Sequence, residues 1–183
     1  MHRYLFGVCA LTLLPTFGAD PAPPSISKIF DQQLSMVEKE VVSLVEAMPA
    51  DKFQFAPTGG EFKDVRTFAQ QASHIAYVNN IVAAAVLGEK FSGESDAKEN
   101  GPGTLKTRDD VVKYIKDSFA YAHKAMATLT DQNLTGLVKS AFGDNKVSRI
   151  YMANVTLWHS FDHYGQMVMY ARMNGVVPPA SRR

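Results

Sequence analysis

Two histidines, His159 and His163, stand four residues apart in a long apolar segment, and a third, His74, lies far upstream. On a helix, an i, i+4 pair projects both imidazoles from one face about one turn apart, as two ligands of a single ion require. The face of His159 and His163 also carries Met152, Val155, Gln166, Tyr170 and Met173, and His74 shares a stripe with Val78, Ile81 and Ala85 at i+4, i+7 and i+11. Both stripes are mainly apolar, so the three histidines are expected to be buried, and they converge if their helices are neighbours. A divalent ion would satisfy three such imidazoles and draw the helices together. Three nitrogen ligands leave an open position, where a water's pKa can fall toward about 7 or a substrate's oxygen or sulfur can bind. The spacing also suits plain structural histidines that bond neighbouring carbonyls, and by itself it leaves both readings open.

Other chemistries fit these residues worse. The run His159-Ser160-Phe161-Asp162-His163 lacks the glutamate that acts as general base after the first histidine of a metalloprotease helix. Thr58-Gly59-Gly60 and Gly101-Pro102-Gly103 lack the spaced glycines and lysine of a phosphate loop and read as turns. Gln166, one turn beyond His163, either bonds near the ion or satisfies a loop carbonyl. Asp162 lies off the histidine stripe, where a contact with solvent or with the helix of His74 fits better than a bond to His159. Tyr77, Tyr170 and Trp158 either line a pocket beside the ion or pack as core aromatics. His123 sits at the boundary of the third helix's apolar face and reads as a surface or half-buried residue. Arg172 either recognises an anionic ligand or, more simply, is a cation in the last turn of a helix.

Four helices must position these groups. Ile29, Leu34, Val37, Val41, Leu44, Val45 and Met48 recur at helical spacing over Ser25 to Met48, and Pro49 stops the helix. Thr67-Phe68-Ala69-Gln70 fits a capping box that starts a second helix running to about Leu87, before Gly88. Thr107, with Asp109 and Asp110 in the first turn, starts a third, whose apolar face is Val111, Ile115, Phe119, Ala122, Met126 and Leu129. The fourth spans roughly Val147 to Asn174, is apolar nearly all round and is expected to be the most buried. The connections around 49–66, 88–106 and 130–146 are long for antiparallel neighbours, which favours a bundle with at least one long crossover. No segment shows the two-residue period of a strand.

With 183 residues, 46% of them hydrophobic and 20% charged, and a formal net charge of +1, the chain has room for one soluble domain and no charge bias toward nucleic acid. Residues 1–19 read as a signal peptide, with His2 and Arg3 ahead of an apolar run too short to span a bilayer. The protein is therefore expected to be exported, periplasmic or secreted, with no stable membrane span after cleavage. Cys9 would leave with that peptide, so any metal must be held by His, Asp or Glu. Residues 20–24 form a proline-rich spacer, 25–179 the domain and 180–183 a tail.

The segment Trp158-His159-Ser160-Phe161-Asp162-His163-Tyr164-Gly165-Gln166, with Tyr170 to Gly175 and Pro178-Pro179, resembles the last helix of the DinB-like (DNA-damage-inducible) superfamily. Met48 to Phe53, Phe55-Ala56-Pro57 and Thr67-Phe68 leading to His74 are similar to that family's approach to its first metal histidine. The resemblance implies an all-α four-helix bundle in up-down-down-up order, often a homodimer, with zinc, nickel or a similar divalent ion on His74, His159 and His163. It also implies that a thiol-dependent transferase is one activity of such a site, although an exported protein would lack the reduced thiol of the cytoplasm. Three readings follow: a metal-dependent hydrolase or transferase acting on a small molecule, a non-catalytic bundle that binds metal or a small ligand, and a structural bundle.

Overall fold

A computed structural model describes residues 22–182; the signal-peptide assignment lies outside them. Four helices make up the framework: α1 (Ile26–Ala47), α2 (Phe68–Leu87), α3 (Arg108–Met126) and α4 (Arg149–Met173). The expected all-α bundle is therefore present. α1 ends one residue early because the proline that follows holds Met48 in an extended conformation, with ψ 124°. The capping boxes form at Thr67 with Gln70 and at Thr107 with Asp110. Gly88, at φ 74°, closes α2 in the left-handed conformation that glycine adopts without strain.

Side-chain contacts fix the helix directions. On α3, His123 meets Asp31 and Glu38 of α1, while Arg108 reaches the Glu46 and Met48 carbonyls, so α1 and α3 are antiparallel. Tyr121 near the end of α3 donates to Glu89 just beyond the end of α2, which makes α2 and α3 parallel. Arg149 at the start of α4 reaches the Val86 carbonyl at the end of α2, and these two run antiparallel. The order is up-down-down-up. Parallel α2 and α3 oblige residues 89–107 to travel back along the bundle, and that return segment passes beside His74.

The core joins Leu34, Leu44, Phe68, Ile75, Ile115 and Phe119, all with no exposed surface. Each such side chain contributes about 1.5–3 kcal/mol by leaving water. Two expectations are corrected. Between α3 and α4 lies an antiparallel hairpin, β1 (Leu137–Lys139) and β2 (Lys146–Ser148), with Val138 opposite Val147. Three-residue strands are too short to impose a readable alternation. Burial is also greatest in α2, not α4: fifteen of twenty α2 residues are buried, against nine of twenty-five in α4. α2 lies between α3 and α4 with the return segment beside it, whereas Trp158, Phe161, Met169 and Met173 of α4 face solvent. No described helix is long and apolar enough to cross a membrane.

Candidate metal centre

The antiparallel packing of α2 on α4 brings the N-terminal half of α2 beside the middle of α4. His74, His159 and His163 meet there, with ring centroids 4.5–5.0 Å apart. One nitrogen from each lies within 4.8 Å of the others. His74 and His163 are buried and His159 is half-buried. The Nε2 atoms of His74 and His159 are 3.2 Å apart. That separation matches the ~3.3 Å edge of a tetrahedron with metal–nitrogen arms of about 2.05 Å.

The outer nitrogens decide which lone pairs face the centre. His74 Nδ1 lies 2.8 Å from the Glu99 carbonyl, which can only accept, so the proton is on Nδ1 and Nε2 is left with a lone pair. Glu99 has φ 58°, a conformation costly for a residue other than glycine, and the turn that holds it aims this carbonyl at the histidine. Asp96 fixes the turn by accepting from Lys98 N, Asn100 N and Asn100 Nδ2. Arg66 ties it to the body through Asn100 Oδ1 and the Lys98 carbonyl.

His163 is held by a relay. Its Nδ1 donates to Gln71 Oε1 at 2.5 Å, Gln71 Nε2 donates to Gln166 Oε1 at 2.8 Å, and Gln166 Nε2 donates to Asp162 Oδ2 at 3.1 Å. Every donor points outward and the chain ends on a carboxylate, so His163 Nε2 is also a free lone pair. His159 differs: its Nδ1 is buried without a partner among the described residues. Burial pushes the pKa of all three imidazoles down, that of His159 to about 3 with help from the positive charge His163 and His74 would carry, and that of His163 to about 4 with help from His74. All three are neutral ligands at neutral pH. The donor set fits a divalent ion that favours nitrogen, and no carboxylate or thiolate joins the group among the described residues.

The remaining candidates fall around this centre or away from it. Gln166 does not meet an imidazole directly and acts through Gln71, which the sequence analysis missed. Its one signal was a polar residue three positions before His74, on the same side of the helix, and Gln70, Asn79 and Asn80 on that helix obscured it. Asp162 is exposed and bonds Gln166, not His159. Trp158 stands at 6.0 Å from the His159 ring with more than half its surface exposed. Tyr77 packs edge-on against Phe91, and Tyr170 is buried against Phe55 as a core residue. His123 is half-buried on the other side of the bundle between α1 carboxylates, and Arg172 bonds Ser181.

An antiparallel pair of helices carrying three convergent imidazoles, inside an up-down-down-up bundle, defines a class of helical protein with a metal-compatible centre. Residues 33–167 match the family model described as the DinB superfamily, and the chain belongs to that family. Solved structures agree in fold. A DinB-like protein from Bacillus cereus superposes with a TM-score of 0.66 at 19% identity, covering 83% of this chain and 95% of that one. A DinB-like protein from Bacillus subtilis gives 0.62 at 16%, covering 85% and 99%. A conserved protein from Enterococcus faecalis gives 0.64 at 10%, covering 82% and 98%. No curated protein matches the chain.

Proposed function

We propose that the protein is an exported, divalent-metal-dependent hydrolase or transferase acting on a small molecule, with His74, His159 and His163 as ligands and zinc or nickel as the ion. One observation carries the reading: two of the three imidazoles have their outer nitrogens committed to acceptors, so their inner lone pairs converge in a group that contains no carboxylate among the described residues. Such an ion, when bound with three protein ligands, supplies Lewis-acid polarisation at its vacant position. The chain's own part is to hold that position open. Glu99 and Gln71 orient two rings, burial keeps the imidazoles neutral, and Trp158 flanks the exposed side of His159.

A second reading, a bundle that binds metal or a small ligand without turnover, is favoured by one feature. Asp162, the acid between the two α4 histidines in sequence, is exposed and engaged by Gln166 and bonds no imidazole as a general base beside the centre would. Elemental analysis of protein purified without chelator or histidine tag, beside a His74→Ala/His159→Ala/His163→Ala variant, tests what the two readings share. About one equivalent of a divalent ion in the parent alone is expected. No metal in either protein after reconstitution overturns the enzyme reading and the metal-binding form of the second. Ester-hydrolysis and thiol-transfer assays on the loaded parent then separate them, since only the enzyme turns over.

A further inference from the structure

Beyond the histidines, α2 runs on toward a cavity of about 690 Å³ formed by its last two turns, the start of the return segment and the β-hairpin. The volume is that of a small-molecule site. Ile81, the first α2 residue to line it, is seven positions past His74, a rise of about 10 Å along the helix, so the cavity and the metal centre are separate places. Its apolar wall is Ile81, Ala84, Ala85, Phe91, Leu137 and Val138.

The charged residues of this cavity are unbalanced. Lys90, Lys139, Lys146 and Arg149 line it, with Glu89 as the one carboxylate. Glu89 is already taken, accepting from Tyr121 Oη at 2.5 Å and pairing with Lys124 at 3.6 Å. Lys139 pairs with Asp144. Lys90, Lys146 and Arg149 have no carboxylate partner among the described residues. Arg149 spends one nitrogen on the Val86 carbonyl, where it complements the negative end of α2, yet its Nε is buried without any acceptor. That Nε is sealed from the cavity, but the guanidinium leaves on the cavity wall a positive charge that no carboxylate balances and an anion would.

We propose that this cavity binds a small organic anion with an apolar body, the body against Ile81, Ala85 and Phe91 and the acid group among Lys90, Lys146 and Arg149. The test uses two fluorescent probes that share one aromatic body and differ by a sulfonate group, 8-anilinonaphthalene-1-sulfonate and the uncharged N-phenyl-1-naphthylamine, titrated into the whole protein. Saturable binding of the sulfonate that weakens with salt is expected. The Lys90→Gln/Lys146→Gln variant, altered only at exposed positions, should bind the sulfonate about tenfold more weakly, as two exposed ion pairs allow, and the amine unchanged. Ala85→Phe, which puts a ring where the apolar body of the ligand is proposed to lie, should weaken both. The proposal is overturned if the sulfonate does not saturate, if the double variant binds it as the parent does, or if Ala85→Phe binds both probes as tightly as the parent. The last result would place them on the exposed face of α4.

Discussion

Gln71 carries the sharpest consequence of the geometry. Gln71→Leu keeps the volume and apolar packing of a buried α2 position while deleting the acceptor of His163 Nδ1 and the donor to Gln166 Oε1. His163 is 8% exposed, so its freed N–H cannot turn to bulk water, and the metal-free protein should lose about 1–3 kcal/mol of stability. Gln166 is exposed and rebonds to solvent at little cost. With metal, the ring loses what fixes its orientation and tautomer, and affinity should fall about 10- to 100-fold, or roughly 1.4–2.8 kcal/mol. Gln166→Leu leaves the bond between Gln71 and His163 in place and should cost much less. The assay is competitive zinc titration against a chromogenic chelator at neutral pH, paired with urea denaturation in excess chelator. Zinc affinity of Gln71→Leu within about twofold of the parent would refute the reasoning. The relay would then be a structural network that satisfies buried polar groups without tuning the ligand.

Two further outcomes follow from the segments that hold the site. The Asp96 carboxyl is pulled below the usual aspartate range, mainly by the Asn100 backbone N–H and then by the Asn100 side chain and the Lys98 N–H. A depressed folded-state pKa gives stabilisation that is complete above the unfolded value near 4 and is lost as pH falls through the folded one. Hydrogen-exchange protection factors across 89–107, taken relative to the intrinsic rate at each pH, should therefore fall in strong acid, and Asp96→Ala should show the same loss at neutral pH with α1 and α3 still protected. Thr67→Ala removes one half of the α2 capping box and should lower stability by about 1 kcal/mol in urea denaturation.

What the sequence disclosed and what it withheld divide along a physical line. Helix periodicity and caps are local, so Thr67 with Gln70, Thr107 with its following aspartates, and Gly88 all sit where the residue types place them. The i, i+4 histidines are local too, and with the α2 stripe they located the cluster to the residue. The hairpin at 137–148 escaped because three-residue strands are held by cross-strand partners and carry no period of their own. The exposure of Trp158 and Met169 escaped because hydropathy does not say which face of α4 meets α1 and α2. The acceptors of the imidazoles are the least legible of all. Gln71 is defined by a partner on another helix, and Glu99 contributes a backbone carbonyl, which has no residue type. Yet the second of these follows from topology once it is known. Parallel α2 and α3 force a return segment, that segment passes the helix bearing His74, and a strained turn in it supplies the one group that can fix the ring. The long connection that argued against a simple up-and-down bundle is thus part of the site, and shortening it would disturb His74 before it disturbed the core.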